Sequence, residues 1–356
     1  MEAMAGQTNV KGEGPGGAPF LPAGRPLPGE ALAAIRILDS GVSFTMLKSI
    51  MIVTLLVPQL GAVENAYRQA LEYQPIHRGT VSVEQAQLWE TPALRGRPFV
   101  MLGPASGRPV YLRFIEAEPA ASPPPAAGTT HGWNAVELLV QDPDALAQRL
   151  PAPFQVVGQP RNLWAAPDAP RAMQALGPAG ELLYFTRVIP SAFREPMRPA
   201  ESPVDRVFIV VVGGPSMLEL RSFYGATLGL PVGPAAPFPI TTLSRALGLP
   251  GSTTYPLATA PLPRDFLIEL DEYPAAARPR ATAPGSLPPG VAMVSFGTTD
   301  LGAISAAWRT PPARLAEFPY SGQLAGVTVG PAGEWIEVIE LAGIPAGSGI
   351  GMPIPD

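Results

Sequence analysis

Four β-branched runs recur along the chain: Ile50 to Val57, Ala135 to Val140, Val207 to Val212 and Val291 to Phe296. Short continuous apolar runs of this kind read as strands buried on both faces. Behind each comes a segment with helical spacing of its apolar residues: Leu60 to Tyr73, Pro143 to Leu150, Pro215 to Leu228 and Leu301 to Trp308. In the third, Met217, Leu220, Phe223 and Tyr224 fall three or four apart, which puts them on one helix face. Asp142 and Asp300 stand where helix N-caps belong. Further short strands then run into a turn. Gly177-Pro178-Ala179-Gly180 recurs unchanged at Gly330-Pro331-Ala332-Gly333, with a near copy at Gly103-Pro104-Ala105-Ser106-Gly107. Glycine supplies positive φ and proline pre-sets one turn dihedral, so each copy reads as a hairpin.

The pattern predicts a β-α-β-β-β unit present four times. Stretches rich in Pro, Ala and Gly separate the units at Glu118 to Gly128, Pro190 to Pro203 and Ala275 to Gly290, and read as linkers. The third unit carries Pro261-Leu262-Pro263-Arg264-Asp265 in place of its glycine hairpin, and gains a helical insert near Thr241 to Leu247. Residues 1–45 lack periodicity before Ala31 and are expected to be a disordered extension, with Met46 an alternative start. Residues 346–356 read as a tail.

Composition narrows the chemistry. Among 356 residues there are no cysteines, which removes disulfides, thiolate metal sites and a cysteine nucleophile, and fits a cytoplasmic location. Only His77 and His131 are histidines, so one chain cannot build a three-histidine centre. A net charge of −5 gives no basic footprint for nucleic acid. The longest apolar run is too short to span a bilayer, so no membrane partner is expected. No Walker A loop or nucleophile elbow is present.

Phe223-Tyr224-Gly225-Ala226-Thr227-Leu228-Gly229-Leu230, its weaker copy Ala66-Tyr67-Arg68-Gln69-Ala70-Leu71-Glu72-Tyr73, and the turn and strand Gly333-Glu334-Trp335-Ile336-Glu337 resemble the vicinal oxygen chelate superfamily. That superfamily includes glyoxalase I, bleomycin-resistance proteins and extradiol dioxygenases. The resemblance covers nearly everything after Met46, and is specific for fold rather than reaction. It implies an α+β fold in which the four βαβββ units pair into two half-barrel domains. Units one and two would form residues 46–190, and units three and four residues 204–345. It also implies a monomer or homodimer acting on a small molecule.

The resemblance places metal ligands on the first and last strand of each unit. The first-strand positions here are Ile52, Ala135, Val207 and Met293, none of which can bind a divalent ion. The last-strand positions are Tyr111, Tyr184, Glu269 and Glu337, reached in three units by counting four residues from the closing glycine. No cofactor is therefore expected. A divalent metal held by Glu269 and Glu337 remains an alternative, and would make a lyase or dioxygenase of the C-terminal half.

The N-terminal half offers a different set. Alternation puts His131, Trp133, Ala135 and Glu137 on one strand face, with Tyr111 and Arg113, Tyr184 and Thr186, and Thr54 facing the same cleft. Glu137 is the candidate general base, Tyr111 and Tyr184 are hydrogen-bond donors, and Arg113 is a carboxylate clamp. His131, Trp133, Thr54, Thr186 and Trp335 are candidate binding residues. The plainer alternatives are a structural Glu137–Arg113 ion pair, a loop His131 and space-filling tyrosines, with His77 at the surface. Two functions follow. One is a metal-independent lyase or isomerase acting on a small oxygenated metabolite, aromatic ones included. The other is a protein that binds and sequesters a small molecule without chemistry.

Overall fold

The computed structural model describes residues 46–118, 124–190, 197–263 and 265–342. The expected N-terminal extension and the C-terminal tail lie outside the described residues. The first unit runs β1 (Leu47–Val57), α1 (Leu60–Leu71), β2 (Gln74–Thr80), α2 (Val83–Trp89), β3 (Pro98–Gly103) and β4 (Tyr111–Glu116). The second runs β5 (Gly132–Val140), α3 (Pro143–Arg149), β6 (Gln155–Asn162), β7 (Arg171–Leu176) and β8 (Leu182–Arg187). The third holds β9 (Val204–Gly214), α4 (Met217–Ser222), β10 (Ala236–Pro239), α5 (Thr241–Ala246), β11 (Thr254–Leu262) and β12 (Phe266–Glu272). The fourth holds β13 (Gly290–Thr298), β14 (Ala313–Arg314), β15 (Leu324–Val329) and β16 (Trp335–Glu340).

The strands form two eight-stranded sheets, ordered β14-β15-β16-β13-β1-β4-β3-β2 and β10-β11-β12-β9-β5-β8-β7-β6. Unit one therefore shares a sheet with unit four, and unit two with unit three. This corrects the expected division into an N-terminal pair and a C-terminal pair. The units join through their first strands, which run antiparallel: β1 with β13 in the register Val53↔Val294, and β5 with β9 in the register Val136↔Val210. Within a unit the first strand pairs parallel with the last, as Thr54↔Arg113 and Ser295↔Glu337 do. Repetition of the unit says nothing about which units meet, because each copy presents the same kind of strand edge.

One face of each sheet carries helices, and these faces meet in a common core. Val53, Leu112 and Phe114 from the first sheet, and Val136, Leu138 and Phe185 from the second, share that core with Tyr67 of α1 and Leu146 of α3. Asp142 caps α3 as its sequence suggests, its carboxylate accepting from the backbone of Asp144 and Ala145. The predicted fourth helix does not form. After Asp300 only one turn closes (Ile304 N–H to Leu301 O, 3.2 Å), and the chain then lies along β15. Thr328 donates to Ala307 O, and Arg309 N–H to Val327 O, so the backbone groups are satisfied outside a helix. Gly302 weakens helix formation and Pro311-Pro312 limit its length, which lets the strand edge win.

The Gly-Pro-Ala-Gly turn has a second function besides reversing the chain. In both full copies the next residue is a buried glutamate, Glu181 or Glu334, which folds back to accept the backbone N–H of Ala179 or Ala332 at 2.8 Å. Each also accepts a tyrosine hydroxyl from the preceding unit: Tyr67 to Glu181 at 2.6 Å and Tyr224 to Glu334 at 3.1 Å. These tyrosines are the matching positions of the Phe-Tyr motif and its weaker copy. The first glycine of the turn is required, since a Cβ on Gly177 or Gly330 would lie 2.0 Å from the carboxylate. Each clasp ties a unit of one sheet to a unit of the other. In the third unit Asp265 takes a glycine-like conformation, with φ of 72°.

Replacing Gly177 or Gly330 by Ala should cost about 1 to 3 kcal/mol, because the displaced glutamate leaves a buried tyrosine hydroxyl and an amide unpaired. Urea unfolding of each variant measures this. Stability within error of the parent would show that the clasp carries no weight.

Candidate functional site

Opposite α1, α3 and α4, the inner faces of the two sheets differ in kind. On the first sheet, four central strands each bring one polar residue to the middle: Thr54, Arg113, Ser295 and Glu337, all fully buried. The Arg113 guanidinium lies 3.2 Å from Glu337 Oε2 and donates through Nε to Thr54 Oγ1 at 2.9 Å. Glu337 also accepts from Ser295 at 2.5 Å, from the indole N–H of Trp89 at 2.8 Å and from the Tyr320 hydroxyl at 2.8 Å. Burial alone would lower the pKa of Arg113, but Tyr320 and Glu337 outweigh it and raise it. Trp89 stacks under the guanidinium, its ring centroid 4.6 Å from Cζ.

An apolar plug closes this face. Leu88 and Trp89 of α2, with Leu315 and Tyr320, pack on Ile52, Met101, Met293 and Val327. Helix α2 was missed from the sequence, although its signature is present. Ser82 and Gln85 form a reciprocal capping box just ahead of Leu88-Trp89. A divalent ion does not fit here, because a fixed cation and three neutral donors already occupy the acceptor positions of Glu337.

The inner face of the second sheet is acidic and only partly covered. Its register sets out rows of side chains across the strands. One row runs Gln174, Tyr184, Glu137, Ile209, Leu267 and Pro261. The next runs Leu182, Ala135, Val211, Glu269 and Thr259, and the third includes Gly213, Asp271 and Leu257. Tyr184, Leu267, Glu269 and Leu257 remain partly exposed along this face. The Tyr273 ring crosses β9 over Gly213, where a Cβ would stand 2.3 Å from its Cζ, and walls the end beside Asp271. Helix α5, the insert expected from sequence, lies against the same face. Thr242 hydrogen-bonds the Tyr184 hydroxyl at 2.7 Å, and Arg245 donates to Val157 O at 2.6 Å.

Three carboxylates share this face with no cation paired to them among the described residues. Thr186 donates to Glu137. Burial pushes the Glu137 carboxyl up to about 7, against the opposing pull of that hydrogen bond. Burial lifts Asp271 to about 8. Glu269 is raised by burial and then by the charges of Asp271 and Glu137. Burial likewise raises the Tyr184 phenol, which stays a neutral donor or acceptor at physiological pH. Among the described residues none of the three carboxylates forms an ion pair, and no group of three or more His, Asp or Glu is placed to hold a metal ion.

The residues expected in one N-terminal cleft are thus divided. Thr54, Tyr111, Arg113 and Trp335 belong to the first sheet, whereas Glu137, Tyr184 and Thr186 belong to the second. Arg113 neither pairs with Glu137 nor clamps a ligand; it is sealed against Glu337. Glu269 and Glu337 also sit on different sheets, which removes the proposed metal site between them. Tyr111 is half-buried at the rim of the first sheet, against Phe318 at 5.9 Å between ring centroids. His77, expected at the surface, is half-buried between Phe99 and Phe318. Trp133 faces the common core, its indole N–H donating to Trp335 O at 2.8 Å. Trp335 stacks under Arg309 at 4.1 Å. His131 is buried, and its pKa is lowered by burial and by Arg278. Arg280, within the Ala275 to Gly290 stretch read as a linker, donates to Thr130, Trp133 O and Val291 O.

Among solved structures, glyoxalase I from Zea mays shares this course of the chain, with a TM-score of 0.53 at 13% identity over 82% of this chain and 92% of that one. A putative dioxygenase from Bacillus subtilis subsp. subtilis str. 168 shares it with a TM-score of 0.51 at 11% identity, over 83% and 86%. The chain accordingly has the vicinal oxygen chelate fold, as its sequence resemblance implied. At these identities the likeness carries the fold and not the reaction. No family model and no curated protein matches the chain. No helix among the described residues is long and apolar enough to cross a membrane.

Two measurements check the electrostatics. Replacing Arg113 by Met should cost about 3 to 5 kcal/mol by stranding a buried Glu337, and adding Glu337→Gln should recover part of it. Denaturant unfolding of the single and double variants decides this; a double variant no better than the single would contradict it. The raised carboxyls of Glu137, Glu269 and Asp271, with Glu181 and Glu334 each pushed up to about 7, hold protons that the unfolded chain releases near pH 4. Their contribution to stability is complete below about pH 4 and is lost as pH rises through about 7 to 8. The Asp271→Asn variant should show a flatter decline in unfolding free energy between pH 5 and 8 than the parent.

Proposed function

We propose that the inner face of the second sheet binds a small oxygenated molecule and moves a proton in it, without a metal. Glu137 is the base and Tyr184 the hydrogen-bond donor. The observation that carries this reading is the Glu137 carboxyl. It lies in the row between Tyr184 and Ile209, is oriented by Thr186 and forms no ion pair among the described residues. A base whose pKa stands near the working pH combines a useful ionised fraction with proton affinity. Partly exposed Leu257, Leu267 and Tyr184 supply the apolar wall that a metabolite-sized ligand, aromatic ones included, would need.

The reaction class is proton abstraction beside a carbonyl or hydroxyl, completed as isomerisation or elimination. The Tyr184 hydroxyl, now held by Thr242, would turn to the developing oxyanion when a ligand displaces that contact. Arg113 and Tyr111 have no part in it, being on the other sheet. A non-catalytic binding role is the second reading. It is supported by the same wall, and differs in that the bound molecule is recovered unchanged.

Carboxyl-detected NMR titration of the free protein should find Glu137 changing charge at about pH 7, its signal disappearing in Glu137→Gln. A midpoint in the ordinary carboxylate range would remove it as a base. Deuterium uptake at the α-carbon of a panel of hydroxy ketones in D2O tests turnover. Uptake should rise with pH through about 7 and fall at least about a hundredfold in Glu137→Gln. Exchange undiminished in that variant would sink the assignment, and saturable binding without exchange would favour the sequestering role.

A further inference from the structure

We propose that the ligand of the second sheet's inner face carries one positive charge, on an amidinium, guanidinium or primary amine, seated among Glu137, Glu269 and Asp271. The proposal rests on the reading of that face as the ligand site, and names the class of molecule it takes. Its first support is Asp271. This side chain is 1% exposed, yet Oδ1 has no hydrogen-bond partner. It shares the inner face with Glu269 two residues earlier on β12, in the row of Gly213 beneath the Tyr273 ring. A buried carboxylate oxygen left unpaired is costly, and is retained where something outside the chain completes it.

The second support is the charge balance. The charges acting on Glu269 are those of Asp271 and Glu137, so the three raise one another's energy. Arg280, which acts on the nearby Tyr273, is already committed to Thr130, Trp133 O and Val291 O. An anionic ligand would add to the repulsion, and a neutral donor could pair Asp271 but would leave the repulsion in place. A cation relieves both.

The third support comes from the other half of the molecule. On the first sheet the same strand arrangement has a carboxylate, hydroxyls and an aromatic face, and there the chain provides its own cation. Arg113 bonds Thr54, Tyr320 and Glu337 and stacks on Trp89. The second sheet repeats the hydroxyls in Thr186 and Tyr184, the carboxylates in Glu137 and Glu269, and an aromatic wall in Tyr273. Among the described residues it lacks only the guanidinium. A planar, weakly hydrated cation suits such a setting better than a divalent ion, which needs several oxygens converging on one point.

The test uses three ring-matched probes, benzamidinium, benzamide and benzoate, with Mg²⁺ as a fourth arm, followed by chemical-shift changes in the full chain at pH 7.5. Benzamidinium should give a saturable shift at residues of β5, β9 and β12. Benzamide should bind at least about tenfold more weakly and benzoate not at all. Asp271→Asn and Glu269→Gln should each weaken benzamidinium about tenfold. Both replacements relieve repulsion, so thermal melts of these variants should be no lower than the parent's. A Glu272→Gln control should leave binding unchanged. Binding of benzamide or benzoate as tight as benzamidinium, insensitivity to Asp271→Asn, saturation by Mg²⁺ without benzamidinium binding, or no saturable shift with any probe would each overturn the proposal. The Glu137 titration is read without ligand. A Glu137 midpoint near 7 with no amidinium binding therefore sinks the charge class alone. An ordinary midpoint with selective amidinium binding sinks the acid–base reading alone.

Discussion

Everything on the inner faces depends on the antiparallel contact of β1 with β13 and of β5 with β9. Those two pairings decide which units share a sheet, and so which side chains can meet. Loop closure offers little guidance, since its cost grows only with the logarithm of length. Pairing unit one with unit four rather than unit two changes it by only about 1 kcal/mol. The nested order, with units two and three inside units one and four, lessens even that. Side-chain fit outweighs a term of this size. With unit four beside it, Arg113 finds Glu337 and Tyr320; beside unit two it would have faced Glu137 without them.

The nested pairing gives one fold two different interiors. On the first sheet the buried charges cancel within the chain, and α2 delivers Trp89 and Leu88 to fill the remaining space. That face is a core. On the second sheet no cation among the described residues cancels the acidic ones, the insert α5 lies along the face without burying it, and several side chains keep contact with solvent. Burying uncompensated carboxylates lowers stability, and a domain selected only for packing would not retain three of them together. The asymmetry between the sheets is what the proposed site rests on, where no single motif points to one.

The duplicated turn shows how the halves are held in place. Tyr67 and Tyr224 begin as residues of a helix motif, and Glu181 and Glu334 as residues after a tight turn. In the folded chain they form equivalent buried hydrogen bonds between successive units. Because units one and two, and likewise units three and four, lie in different sheets, each clasp crosses the common core and fixes one sheet against the other. The clasps and the strand pairings are complementary constraints: strands join unit one to four and two to three, clasps join one to two and three to four.

The sequence by itself determined the unit, its four copies, the hairpins, the cap at Asp142, and the replacement of the usual metal ligands. These are local matters of periodicity, turn geometry and residue chemistry, legible within a few residues of chain. The helix expected at Leu301 to Trp308 failed because a strand edge offered its backbone better partners, which no local pattern records. The site was half legible. Glu137, Tyr184 and Thr186 were identified and do stand together, because they come from one unit. Arg113, Tyr111 and Glu337 were assigned to clefts they do not occupy, and Asp271 and Tyr273 were not identified at all. Only the tertiary structure decided those, because alternation along a strand fixes the face a residue takes, while the partner across that face is set by which distant strand lies alongside.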